Sequence, residues 1–352
     1  MTVDTLWYTR CPAPSAASIA IRKGWLTDEF RNDGIEVLSL AAASDRSVHL
    51  SHYQHTQPNS FRFGGFVPPL VTRSRGIDVR VIGLAWPDRR AEVVVRSDST
   101  IRSGQDLRGK RLGVPRRLND PIDWWQATVK LGFHEALAVT GLKPNEVSWI
   151  DIPISRQFVE DAVVGTQKGL SLWGARSQFA VQREEAVALI RGEVDALYTD
   201  AAMGALLKAS YGFRPVVDIA SEEDGDGQHF GYPVVLTVSG GLLDERPDLV
   251  VRWIHRLLDA GPWARENVDE STQILSQDTG LPVDFLADAY SGRVTRQLDI
   301  SLSESRIDLL KRKHDALLAH GFLQTPIDFK EFIDPAPLNE VLQYRALSIE
   351  SR

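Results

Sequence analysis

One cysteine, Cys11, stands in 352 residues. A chain with a single thiol closes no internal disulfide, so oxidative stapling plays no part in holding it together and a cytoplasmic setting is allowed. Long apolar runs are missing as well. No window approaches 18 uninterrupted apolar residues, so no membrane-spanning helix is expected. Basic residues are not in excess either: 40 Lys and Arg stand against 47 Asp and Glu, a formal net charge of −7. Such a chain is repelled by a phosphate backbone, and nucleic acid is not an expected partner. The opening "MTVDTLWYTRC" lacks a basic region followed by an apolar stretch and a small-residue cleavage site, so it reads as a cytoplasmic start and not a leader. Repeats and low-complexity segments are absent. The longest weakly patterned piece is "ASEEDGDGQHFGY" at 220 to 232; its acidic run resembles half a calcium loop without the closing glutamate and reads as solvent-facing.

What is present is ordinary globular material, 43% hydrophobic and 25% charged, long enough to predict two domains. Short strands and helices alternate. "DTLWYTR" reads as a strand, "AASIAIRKGWLTDEFRNDG" as one amphipathic helix ending at Gly34, and "IEVLSL" as the next strand, together a βαβ unit. "GIDVRVIGLAW" and "AEVVVRSDS" are further strands, followed by a short helix over Ser103 to Leu107 and the strand "RLGV". Later come a helix, the strand "VDALYTD", another helix, the strands "RPVVDI" and "PVVLTVSGG", and a helical C-terminal third. The expected division is a first α/β lobe of residues 1–93 plus 222–352 and a second of residues 94–221.

"DSTIRSGQDLRGKRLGVPR" and "ALIRGEVDALYTDAAMGALL" resemble the second-domain entrance and the ligand-facing strand of type II periplasmic-binding-protein folds. That resemblance implies two α/β lobes joined by two crossover strands, with an interlobe cleft suited to an anion. A sharper likeness lies near the start. "YTRCPAP" and "SHYQHTQPNSFRFGGFVPPL" at 51 to 70 resemble the active-site segments of the 2'-hydroxybiphenyl-2-sulfinate desulfinase family, built on the same two-lobed fold. In that family a cysteine, a histidine and an arginine followed by Phe-Gly-Gly surround the sulfinate. The resemblance therefore implies catalytic Cys11, His52 and Arg62, with Thr9, Gly64 and Gly65 at the substrate. His52 is chosen because a gapless match puts the histidine ten positions before the arginine; His49 in "VHL" is held in reserve.

The residue types suit the chemistry. A carbon–sulfur bond of an aryl sulfinate breaks when the ring carbon is protonated and SO₂ leaves, or when a nucleophile attacks sulfur. Arg62 offers a planar fork for two sulfinate oxygens, which lysine does not reproduce. The Gly65 N–H can approach an oxygen closely because no side chain intervenes. Preorganised donors of this kind contribute roughly 3 to 4 kcal/mol each when they act only in the transition state. Cys11 serves as proton donor or nucleophile, and His52 tunes or replenishes its proton. No cofactor or metal is expected. The histidines at 49, 52 and 55 have no second cluster of cysteine or carboxylate ligands, and Pro58 ends the helix that would align them.

Each residue also has a plainer reading. A lone cysteine packs well in cores, Arg62 can lie across its flanking phenylalanines, and Gly64–Gly65 before Pro68–Pro69 can be a simple turn. Against the first stand Thr9, Arg10, Pro12 and Pro14, which mark a loop just after a strand. Trp124 and Trp125 open an amphipathic helix, one facing the core and Trp124 the better candidate for an aromatic cleft wall, with Trp173 and Tyr198 behind it. Arg116 and Arg117 read as a solvated loop. The function expected is a cofactor-free C–S bond hydrolase acting on a small organosulfur anion as a monomer. The alternative is an ABC-transporter-type solute-binding protein for a sulfonate or similar anion.

Overall fold

The computed structural model describes residues 2–158, 181–219, 231–290 and 292–350. The chain runs β1 (Thr5–Arg10), α1 (Ala16–Arg22), α2 (Trp25–Arg31), β2 (Glu36–Ser39), α3 (Arg46–Gln54), β3 (Ser60–Gly65), α4 (Val67–Ser74) and β4 (Val79–Ala85). It continues with β5 (Ala91–Val95), β6 (Arg111–Arg117), α5 (Trp124–Val139), β7 (Ser148–Ile154), α6 (Arg183–Ile190), β8 (Ala196–Asp200), α7 (Ala201–Tyr211), β9 (Arg214–Asp218) and β10 (Val234–Ser239). Helices then dominate to Glu350. Among the described residues no helix is long and apolar enough to cross a membrane.

Two five-stranded sheets carry the lobes, one in the order β2-β1-β3-β10-β4 and the other β7-β6-β8-β5-β9. Each is parallel at one side and takes a single antiparallel strand, β10 in the first and β5 in the second. The chain therefore passes between sheets twice, from β4 to β5 and from β9 back to β10, and this is the two-lobed type II periplasmic-binding-protein-like architecture. The division expected at residue 93 runs through β5. One hydrophobic cluster continues from Val81, Leu84 and Val235 of the first sheet to Val93, Leu112 and Trp125 of the second lobe, so the lobes share a core beside the crossovers.

Three local expectations are corrected. The single helix expected up to Gly34 is broken at Gly24, whose φ of 75° lies in the left-handed region that a side chain disfavours; α1 ends there and α2 begins. The strand "RLGV" extends to Arg117 as β6. Arg117 is consequently no solvated loop residue: it is 4% exposed, lies 3.6 Å from Asp120 and sits over the Phe158 ring at 4.9 Å. Arg116, on the other face of the strand, is exposed and faces Asp151. The acidic run Glu222 to Gly227 and Trp173 lie outside the described residues.

Candidate active site

Strand periodicity assembles the site. β1 and β3 pair in parallel with Thr9 opposite Arg62, so Thr9 and Arg62 share a face of the sheet. Two residues on, past the strand end, Cys11 donates its backbone N–H to the Phe63 carbonyl at 3.0 Å and comes to lie beside Gly64. The alternate residues Phe61 and Phe63 go to the opposite face, where Phe61 stacks on Trp253 with ring centres 4.1 Å apart and planes within 3°. That packing fixes β3, and with it the root of Arg62. The site thus sits at the carboxyl ends of parallel strands, the usual place for a ligand in an open α/β sheet.

α3 supplies the histidine. Asp45 caps the helix by accepting the Ser47 N–H at 2.8 Å, and His55 ends it at φ 52°, three residues before Pro58. His49 and His52 lie one turn apart and meet different partners. His52 Nε2 is 3.7 Å from Cys11 Sγ and its Nδ1 is 2.7 Å from Thr9 Oγ1, whereas His49 Nε2 is 2.9 Å from the Ala43 carbonyl. The histidine that reaches the thiol is His52.

Arg62 is 3% exposed and held at three points. Nε donates to the His52 carbonyl at 2.8 Å, Nη1 to the Gly65 carbonyl at 2.9 Å and Nη2 approaches Cys11 Sγ at 3.7 Å. Among the described residues these bonds engage three of the five N–H donors a guanidinium carries and leave the others for a ligand. Glycine is required at 64 and 65 by close approach. A Cβ at Gly64 would lie 2.5 Å from Cys11 Sγ and 3.0 Å from Arg62 Nη2, and one at Gly65 would lie 2.3 Å from the Tyr232 hydroxyl.

Electrostatics favour a neutral imidazole. Burial, the Arg62 cation and His55 all push His52 well below its ordinary value of 6.5. Burial and Arg62 likewise push His55 down to about 3. Burial also lowers Arg62 from its usual value, though a guanidinium stays charged under any ordinary condition. No group of three or more His, Cys, Asp or Glu side chains able to hold a metal occurs among the described residues.

The cleft above this cluster is lined from both lobes. Cys11, His52, Arg62, Gly65 and Trp124 reach its wall. Comparison with known proteins places the chain. It is 32% identical to 2'-hydroxybiphenyl-2-sulfinate desulfinase of Rhodococcus erythropolis over 357 aligned residues, covering 96% of this chain and 94% of that one. The chain belongs to the desulfinase family. A crystal structure of a cysteine-to-serine mutant of DSZB in complex with biphenyl-2-sulfinic acid is 30% identical, with a TM-score of 0.75 over 97% of this chain and 100% of that one. The periplasmic aliphatic sulphonate binding protein SsuA from Escherichia coli shares the fold at 14% identity, with a TM-score of 0.63 over 94% of this chain and 98% of that one. The family model described as NMT1/THI5 like matches residues 16–170.

Within this desulfinase-family site, the residues expected at the substrate also make contacts inside the protein. Thr9 is 5% exposed and turns its hydroxyl to His52, not to the cleft. Gly64 makes room for the thiol, and Gly65 contributes its carbonyl to Arg62. Trp125 is the core member of the tryptophan pair, with Nε1 donating to Glu185 at 2.7 Å. Trp124 is the cleft member and meets Phe158 edge-on at 5.2 Å. Tyr198 packs inside against Phe133 and Trp125. Sequence reading missed Arg89, Phe158, Asp200, Met203 and Tyr232 on the cleft wall. Asp200 had a signal, standing where a strand ends and a helix begins; Arg89 and Tyr232 sit on crossovers whose position only the sheets define.

Proposed function

We propose that this protein is a cofactor-free desulfinase that releases sulfite from an aryl sulfinate, with Cys11 as the proton donor. The observation that carries the reading is the thiol set 3.7 Å from both His52 Nε2 and Arg62 Nη2 at the floor of the cleft. In this mechanism the remaining Arg62 donors hold the sulfinate oxygens and fix the ring carbon bearing sulfur beside the thiol. The Cys11 S–H proton passes to the ring carbon bearing sulfur, leaving the thiolate, and the C–S bond then breaks with its electron pair returning to the ring. SO₂ leaves and takes up water as hydrogen sulfite plus a proton, which His52 returns to the thiolate. The sum is ArSO₂⁻ + H₂O → ArH + HSO₃⁻, which balances without an oxidant or reductant, so protein side chains suffice.

Thr9 makes the return step economical. A hydroxyl both donates and accepts, so it serves either tautomer of His52. The imidazole can accept a proton at Nε2 from solvent-derived acid and hand it to sulfur without turning. A carboxylate in place of Thr9 would hold Nδ1–H and stabilise the imidazolium; the hydroxyl leaves the ring neutral between turnovers.

The relatives support the reading: a protein 32% identical to this chain is a desulfinase, and the DSZB cysteine-to-serine mutant was crystallised with a sulfinic acid. A cytoplasmic setting suits a reaction that needs a reduced Cys11, and a monomer suffices because one chain supplies the whole cleft. Incubation with biphenyl-2-sulfinate should yield sulfite and biphenyl in equal amounts, with one deuterium at the former sulfur-bearing carbon in D₂O. Tight binding of sulfinates or sulfonates without any sulfite release would instead establish a solute-binding protein.

A further inference from the structure

A charged pair in the same cleft takes no part in the steps above. Arg89 lies on the segment that crosses from β4 to β5, and Asp200 closes β8, opposite Ala91 in the sheet register. Their side chains form an ion pair with Arg89 12% and Asp200 1% exposed. The Arg89 guanidinium lies over the Tyr232 ring at 3.9 Å, and the Tyr232 hydroxyl in turn abuts Gly65 beside the thiol. Arg89 is thus one tyrosine away from the Cys11–Arg62 cluster and lines the same cleft.

The pair is incompletely satisfied. Arg89 Nε is buried with no hydrogen-bond partner among the described residues, and the two Asp200 oxygens accept none there from any group but Arg89. Asp200 also stands at the N-cap of α7 without capping it, and Ala201 after it adopts φ 44°. An aspartate at that position ordinarily accepts a first-turn N–H; here it faces Arg89 instead. A buried ion pair is often replaceable by apolar residues at no loss of stability, so structural support alone gives little reason to keep one in an otherwise aromatic cleft.

We infer that Arg89, neutralised and oriented by Asp200, donates a hydrogen bond to an oxygen substituent on the hydrocarbon part of the sulfinate, and so sets which aryl sulfinates are preferred. The inference rests on the desulfinase reading and adds the substrate feature that the second polar station reads. Arg89 is the specificity-determining residue and Asp200 a positioning residue behind it.

The test compares two nearly isosteric substrates, biphenyl-2-sulfinate carrying a hydroxyl or a methyl at the 2' carbon. The unaltered protein should show kcat/KM at least about tenfold higher for the hydroxyl compound, the size expected of one hydrogen bond to a charged group. The double variant Arg89→Met with Asp200→Leu removes both charges and leaves no orphan; its hydroxyl-to-methyl ratio should fall to about 1, with Arg89→Lys intermediate. A unit ratio in the unaltered protein, or an equal loss on both substrates in the double variant, overturns the assignment. If the double variant does not fold, Arg89→Lys decides: a ratio equal to that of the unaltered protein overturns the assignment, and a lower one supports it. Sulfite from neither compound rejects the desulfinase reading itself, whereas sulfite from both without discrimination rejects only the role of Arg89.

Discussion

The two walls of the cleft differ in how they are held together. On the first-lobe wall Thr9, Cys11, His52 and Arg62 form one connected polar group, its contacts running from 2.7 Å at Thr9 to 3.7 Å at the thiol. Its atoms are roped to strand ends and to the carbonyls of His52 and Gly65. On the second-lobe wall Trp124, Phe158 and Met203 offer rings and a thioether that meet by shape, with Trp124 and Phe158 edge-on at 5.2 Å. A network of directed bonds tolerates little displacement, since reacting groups must stay within a few tenths of an ångström. A wall of apolar contacts yields in small steps. Chemistry should therefore fail abruptly when the first wall is touched and selectivity should drift when the second is.

The sharpest break is at the thiol. Cys11→Ser should lower sulfite release on the order of 10³-fold or more while leaving sulfinate affinity within a few-fold, as the loss of a positioned proton donor predicts; turnover assays beside calorimetric titration check both halves. Arg62→Lys should cost on the order of 10²-fold in kcat/KM and weaken binding together with turnover, because a point charge replaces the fork.

Gly64→Ala touches the same wall without removing a functional group. Its Cβ would come within 2.5 Å of Cys11 Sγ, so the thiol must shift, and a displacement near 1 Å is expected to cost about 10²-fold in rate. A fully active Gly64→Ala variant would show that this wall is softer than its bonding suggests. On the other wall Trp124→Leu should raise KM for aryl sulfinates by no more than about tenfold, the worth of a stacking contact beyond burial. Small alkyl sulfinates should be affected less, and kcat should change less than KM. Equal loss of turnover on every substrate with KM unaltered would mean that the tryptophan supports the first wall.

The smallest effect concerns acid. His55 has a folded value near 3, below its ordinary 6.5, so the neutral folded form is favoured above pH 6.5 and stability declines as pH falls from 6.5 toward 3. His55→Gln lacks this proton uptake. Denaturant melts at pH 7, 6 and 5 should therefore show the unaltered protein losing stability more steeply than His55→Gln, by on the order of 1 kcal/mol per pH unit. Parallel pH profiles would argue that His55 is not shielded as its position implies. His52 is pressed the same way, so no acid limb in kcat/KM is expected at pH 6.5 itself.

Legibility in the sequence followed the range of the forces involved. The strands around Cys11 and Arg62 could be read from alternation, and a period of two puts Thr9 with Cys11, and Arg62 with Gly64, on one face of their own stretch before any pairing is known. The gapless spacing singled out His52 over His49, and the helix geometry agrees: three residues rotate one imidazole toward the thiol and the other toward Ala43. The break at Gly24 was missed because glycine inside an amphipathic run is often tolerated, and only the left-handed turn shows that this one is not. Arg117 was misjudged for a related reason: a paired basic sequence looks solvated until Asp120 and Phe158 close over it.

The sequence by itself determined the two-lobed α/β class, the desulfinase likeness and the residue types of the polar group at the cleft floor, because these depend on local periodicity and on short segments whose spacing survives folding. Only the tertiary structure decided that Thr9 serves His52, that Gly65 lends its carbonyl to Arg62, that Trp124 and not Trp125 faces the cleft, and that Arg89 and Asp200 meet beside Tyr232. Apart from Gly65 and Arg62, three positions apart, the paired residues stand 43 to more than 100 positions apart. Which of them form depends on the register of β1 with β3 and of β5 with β8, and on the two crossings between sheets. A register is chosen by the packing of whole faces against each other, so no stretch of chain read alone contains it.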